Sequence, residues 1–185
     1  MLYLTFARLA SVIPAGRRQV FKASEHLAWG DLSFCQRGVV VRLTKTKTVQ
    51  MSERFLTFLI PVHDVPSTCL TSQLQAWRRI SPLTAPEDPV FVVPGVGGRP
   101  VPLTRRRADP AFKGALARAG ARPGSYGFSS FRRGGATSYF LATGGKDVES
   151  LMSQGDWRLG AYREYLYLPG TSRGHVAGTL QRELV

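Results

Sequence analysis

The hydrophobic period changes along this chain between strand-like and helical runs, and those changes limit the folds open to it. Between Leu32 and Ile60 the apolar residues fall in three short runs rich in β-branched and aromatic side chains. They are Leu32–Cys35, then Val39-Val40-Val41 continued by Arg42 and Leu43, then residues 55–60. From Thr104 onward the apolar residues recur at helical spacing instead. Helices are expected over 104–119, 129–143, 146–153 and 158–168, with a last one near 176–184. Strands gathered first and helices gathered later specify an α+β domain, mainly α: a helical bundle with a small antiparallel sheet. Ahead of the sheet, Leu2, Phe6, Leu9 and Ile13 predict a helix over 2–13, stopped by Pro14-Ala15-Gly16. Residues 68–80 predict another, with Leu70, Leu74 and Trp77 on one face. Residues 81–103 are rich in Pro and Gly around a short strand at 90–93, an irregular excursion within one domain. A chain of 185 residues is enough for one domain with a hydrophobic core and hardly enough for two domains.

Charge narrows the partner. Lys and Arg number 25 against 12 Asp and Glu, a formal net charge of +13. Such an excess calls for a polyanion, and nucleic acid comes first. Ribosomal and membrane-surface proteins share the property. The 43% hydrophobic content separates the chain from a disordered basic tail. Cys35 and Cys69 form no CxxC and no metal-ligand spacing, which suits a reducing compartment and no bound metal. No run of eighteen apolar residues is present, so no membrane-spanning helix is expected. The opening MLYLTFARLASVIP lacks the basic flank of a signal peptide and reads as a buried helix.

Two segments carry chemistry. The first is Ser129-Ser130-Phe131-Arg132-Arg133-Gly134-Gly135-Ala136-Thr137. Each glycine inside a helix costs up to ~1 kcal/mol against alanine. Close approach of the backbone to another chain or to a phosphate repays it. Arginine adds a planar fork that binds phosphate through two hydrogen bonds. A surface helix with one tight packing point explains the same residues equally well. The second segment is Gly155-Asp156-Trp157-Arg158 followed by Tyr162, Tyr165 and Tyr167. Tyrosines at helical spacing are ordinarily core.

Taken in order, Arg-Arg-Gly-Gly-Ala-Thr, a short helix, Gly-Asp-Trp and Ala-Tyr-x-x-Tyr resemble the C-terminal half of tyrosine recombinase catalytic domains. The eukaryotic mobile-element branch, with its DIRS-like, Ngaro-like and Crypton groups, is the nearest pattern. Further back, Phe6-Ala7-Arg8-Leu9-Ala10-Ser11 resembles the first arginine box. His26-Leu27-Ala28-Trp29-Gly30-Asp31-Leu32 resembles the entry to the sheet, and Thr46-Lys47-Thr48-Val49-Gln50 the hairpin of the catalytic lysine. The resemblance implies a catalytic domain over 1–170, a tail over 171–185, and an N-terminal core-binding domain missing from this chain. It implies site-specific recombination or integration of double-stranded DNA through a 3′-phosphotyrosyl intermediate. No cofactor, metal or small-molecule substrate is needed.

By the same resemblance, Arg8 and Arg132 clamp the scissile phosphate, Lys47 protonates the leaving 5′ oxygen, Trp157 donates to the phosphate, and Tyr165 is the nucleophile. Arg133, Arg105, Arg106, Arg107 and Lys45 become DNA contacts. The protein acts as a homo-oligomer on DNA, in the nucleus. Alternatives stay open for several residues: Lys45 rivals Lys47, Tyr162 and Tyr167 rival Tyr165, and Trp157 serves equally as a core anchor.

The pattern breaks in two places. Where the family's box opens on histidine, this chain has Ser129, a poor proton acceptor. His26, His63 and His175 lie outside the box. Where many relatives place an acid three residues after the first arginine, this chain has Ser11. Ser129 and the missing N-terminal domain motivate a second expectation, a catalytically impaired or domesticated DNA-binding module. An unrelated RNA-binding protein is a third, without an aromatic RNP strand or GXXG loop to favour it.

Overall fold

The computed structural model describes residues 1–16, 20–44, 55–157 and 159–166. Three strands form one antiparallel sheet in the order β1 (Leu32–Cys35), β2 (Gly38–Leu43), β3 (Leu56–Pro61). The register pairs Val39 with Ile60, Val41 with Phe58 and Leu43 with Leu56. Period-two alternation therefore turns Val39, Val41 and Leu43 inward, opposite Phe58 and Ile60, while Arg42, Thr57 and Leu59 face out. The helices α2 (Leu70–Ile80), α3 (Arg105–Arg118), α4 (Phe128–Ala142) and α5 (Val148–Gly155) follow. The architecture is α+β with a small antiparallel sheet, as the change of period requires. None of the described helices is long and apolar enough to cross a membrane.

The differences from expectation have local causes. The helix expected over 2–13 is broken. Helix α1 covers only Leu2–Thr5, and Phe6 turns left-handed at φ 49°. Arg8 is extended, and a short 3-10 turn, Leu9–Ser11, follows. The strand expected at 90–93 shifts to Val92–Pro94 (β4) and pairs with β5 (Pro100–Pro102) across a glycine turn. The expected helix over 158–168 appears as a 3-10 segment, Leu159–Tyr165. The expected helix near 176–184, the tail over 171–185 and the 46–48 hairpin tip fall outside the described residues.

There are two packed cores. The sheet side gathers Ala7, Val12, Leu27, Trp29, Val39, Val41, Phe58, Ile60, Leu74 and Val90, among others. Its tryptophans are fully partnered: Trp29 Nε1 donates to the Leu83 carbonyl at 2.9 Å and Trp77 Nε1 to that of Val90 at 2.6 Å. The helical side gathers Phe6, Ala136, Leu151, Trp157 and Tyr162. Adjacent residues Phe6 and Ala7 thus belong to different cores, and the left-handed turn at Phe6 makes the crossing.

The glycine pair of α4 is where α1 rests on it. A Cβ at Gly135 would stand 2.2 Å from the Tyr3 carbonyl oxygen and 2.8 Å from the Phe6 ring. At Gly134 it would meet only the edge of Tyr3, at 3.6 Å. Close approach of another segment of the same chain, not of a ligand, accounts for Gly135. The Gly135→Ala variant should therefore lose about 2–3 kcal/mol of stability in urea unfolding through overpacking. Gly134→Ala should be neutral or gain up to ~1 kcal/mol from helix propensity.

Candidate active site

The site is assembled around Arg132, on the inner face of α4. Its side chain is buried, with only 8% exposure. Nη1 donates to the Phe6 carbonyl and Nη2 to the Gly155 carbonyl at 2.7 Å. One guanidinium thus ties the kink after α1 to the end of α5. Its Cζ lies 4.5 Å from the centre of the Trp157 ring and 5.0 Å from that of Tyr165. Trp157 packs against Phe6 on one side and Tyr165 on the other, at centroid distances of 5.8 and 5.0 Å. Burial, and then the neighbouring charge of Arg8, push the Arg132 guanidinium down to about 10. Tyr165 and Asp156 act in the opposite sense. Arg132 therefore stays a cation at neutral pH.

Gly155 completes the cage. A Cβ there would stand 2.0 Å from the Trp157 indole. The glycine of Gly-Asp-Trp exists so that the ring can lie over its backbone.

Arg8 and Tyr165 meet across 157 positions of sequence: Arg8 Nη2 donates to Tyr165 Oη at 3.3 Å. Thr137 Oγ1 donates to the Tyr165 carbonyl at 3.4 Å and moors the end of the 3-10 segment on α4. Tyr162 faces the helical core at 8% exposure, with Arg163 over its ring. Of the rival tyrosines, Tyr162 is thus a core residue, and Tyr167 lies outside the described residues.

Arg8, Arg105, Ser129, Arg132 and Tyr165 line one cleft of about 410 Å³. Ser129 and Arg105 are exposed on its rim. A smaller cavity of about 30 Å³ shares Arg8 and Arg132 with the cleft and adds Asp156, Leu43 and Leu56. Leu43 and Leu56 are the final register pair of β2 and β3. The sequence joining them holds Lys45 and Lys47, both outside the described residues. Arg133 is exposed on α4 but does not line the cleft. Arg106 and Arg107 line a separate groove with Val20, Phe21 and Pro110, and Arg107 Nη1 donates to the Pro94 carbonyl at 3.0 Å. The Arg105–Arg107 run is therefore split between two surfaces.

Two buried donors, Arg132 Nε and Trp157 Nε1, find no acceptor among the described residues. An orphaned buried donor costs about 1–3 kcal/mol. Trp157, expected from the sequence at the phosphate, lines neither the cleft nor the smaller cavity. No described histidine lines the cleft. His26 is buried beside Phe21 and accepts the Lys22 N–H at 3.1 Å. His63 accepts the Val65 N–H at 3.1 Å. No cluster of His, Cys, Asp or Glu among the described residues could hold a metal ion. Sequence reasoning missed the Phe6 and Gly155 carbonyls, Thr137 and Asp156. Phe6 and Asp156 are the only described non-glycine residues with positive φ, both at 49°, and both flank this site. Strained backbone of this kind concentrates at functional centres, but it leaves no mark in the sequence.

Arg132 carries structural weight that Arg8 does not. Arg132→Lys keeps the charge but cannot fork between two carbonyls, and should lose about 2–4 kcal/mol in urea unfolding. Half-buried Arg8, changed to Ala, should lose no more than about 1 kcal/mol. Comparisons with models of protein families, with curated proteins and with solved structures returned no match to this chain.

Proposed function

We propose that this chain is a DNA strand transferase of the tyrosine recombinase type, with Tyr165 as nucleophile. The observation that carries the proposal is the hydrogen bond from Arg8 to the Tyr165 hydroxyl, with Arg132 set against the same ring. A phenol held between two guanidiniums is where a phosphodiester would be drawn in by charge and met by an oxygen nucleophile. In the step envisaged, Tyr165 Oη bonds to phosphorus and the bond from phosphorus to the 5′ oxygen breaks. The phenolic proton passes to solvent water in the open cleft, and the 5′ oxygen takes up a proton; Lys47 is the residue proposed to give it. Attack by a 5′ hydroxyl on the phosphotyrosine reverses the sequence, so phosphodiester energy is conserved and no nucleotide is consumed. Arg8 and Arg132 would hold the nonbridging oxygens; Trp157, which lines neither the cleft nor the smaller cavity, would support Arg132 from behind. Double-stranded DNA is the proposed partner, with further copies of the chain on paired sites in a nucleus.

A second reading has its own support. Ser129 offers a hydroxyl where a proton acceptor would help, and both Nη groups of Arg132 already serve backbone carbonyls. These features fit a module that holds DNA without cutting it.

One experiment separates the two readings. Purified protein is incubated with a pool of nicked duplex substrates and resolved on a denaturing gel. A covalent protein–DNA band, absent from Tyr165→Phe, is expected. Salt-sensitive binding without any band favours the module instead. In the binding assay, Arg105→Ala and Arg133→Ala should each weaken affinity across sequences. Each should also reduce the slope of log K against log salt by about 1, as expected for one lost phosphate contact.

A further inference from the structure

The arginine cleft has an apolar neighbour. A hollow of about 300 Å³ lies where α1, the Leu9–Ser11 turn, α3 and the start of α4 meet. The rings of Tyr3, Phe91, Phe128 and Phe131 line it, together with Leu9 and Leu103 among others. None of the described residues around it carries a charged side chain, and the Tyr3 hydroxyl is the one side-chain hydrogen-bonding group. Folded interiors ordinarily close such gaps, because every unmade contact forfeits dispersion energy. Here the rings are braced from behind. Phe112 packs against Phe128 and Phe131 at centroid distances of 4.8 and 5.3 Å, while Phe131 stays 37% exposed. Leu9 and Phe128 line the hollow and the cleft alike. Consecutive residues of α4 part at this boundary, Phe131 lining the hollow and Arg132 the cleft.

We propose that the hollow receives an unpaired nucleobase of the DNA strand whose phosphate lies in the arginine cleft. The proposal rests on the strand-transfer reading above for the position of that phosphate. A nucleotide joins an anionic end to a flat, uncharged aromatic end, and the two adjoining recesses have those two characters. An apolar side chain of a partner protein would fill the hollow, but it would leave Arg8, Arg105 and Arg132 next door without an anion. A DNA strand answers both recesses at once. A base inside a duplex cannot reach the rings, since its own neighbours cover its faces. The base that enters is bulged, mispaired or single-stranded, where unstacking costs least. With one hydroxyl to meet base edges, the hollow selects for stacked surface rather than for sequence, and purines are favoured over pyrimidines.

The test uses the intact chain and three DNA probes of one sequence: a fully paired duplex, the same duplex with a single bulged adenine, and the same duplex with an abasic bulge. Affinities are measured by fluorescence anisotropy. The abasic bulge bends as readily as the adenine bulge but has no base to insert. Wild type should bind the adenine bulge roughly tenfold more tightly than the abasic bulge, the effect of one stacked base. Ala108→Phe sets a further ring into the hollow, and Phe131→Ala removes an exposed wall. Either should cut the preference to about twofold or less, while Phe131→Tyr should keep it. Affinity for the paired duplex, set by the cleft, and urea unfolding are followed in all three, so a filled hollow is told from a damaged fold. Equal affinity for the adenine and abasic bulges in wild type overturns the proposal. So does a preference that survives both Ala108→Phe and Phe131→Ala. Nicked forms of the same probes, run on a denaturing gel, separate the two readings. An adduct without any preference for the base leaves strand transfer standing and removes the base site. A preference for the base without an adduct does the reverse.

Discussion

The two hydrogen bonds donated by Arg132 hold the candidate site together. Through them one side chain fixes the carbonyl of Phe6, at the crossing between the two cores, and the carbonyl of Gly155, at the end of α5. Among the described residues, neither carbonyl accepts a backbone N–H. Each belongs to or adjoins a residue with positive φ, a conformation that costs of order 1–3 kcal/mol unless its surroundings impose it. The guanidinium imposes both. Burying an arginine is expensive in turn, and the carbonyls together with the Trp157 and Tyr165 rings offset that cost. Each feature is tolerable only in the presence of the others.

This reciprocity shapes the rest of the domain. Gly135 has no side chain because α1 must lie directly on α4 to bring the Phe6 carbonyl within reach of Arg132. Gly155 has none because the indole of Trp157 must cover it to form the other wall. The left-handed turn at Phe6 sends its ring to the helical core, Ala7 to the sheet core, and Arg8 to the cleft between them. The sheet contributes by its register, which ends β2 and β3 at Leu43 and Leu56 against the arginine cavity.

Much of this was legible in the sequence, and the gaps have physical causes. β-Branched runs and a polar break located the strands to within a residue or two, because period-two burial writes itself into composition. The α4 and α5 helices were legible for the corresponding reason. The break at Phe6 was not, since Leu2, Phe6, Leu9 and Ile13 keep a helical period through a turn that tertiary contacts impose. The meeting of Arg8, Arg132 and Tyr165 was anticipated only through resemblance, as no local pattern reports contacts across more than a hundred residues. The two glycines of α4 illustrate the limit well. Both carry the same signal in sequence, yet only Gly135 stands at a backbone contact. The Arg105–Arg107 run looks uniform in sequence, but the turn of a helix divides it between two grooves.

The span of 157 positions between Arg8 and Tyr165 has a consequence in time as well as in space. A chain emerging from the ribosome presents Arg8 well before Tyr165. Contacts this distant form late, because the loop they close must be ordered first. The arginine pair cannot stand complete before α4 has docked under α1, nor can the tyrosine join it before the 3-10 segment is moored by Thr137. Incomplete chains therefore carry the basic surface without the assembled site. Whatever chemistry the cleft performs is withheld until Tyr165 has been made and has folded onto α4.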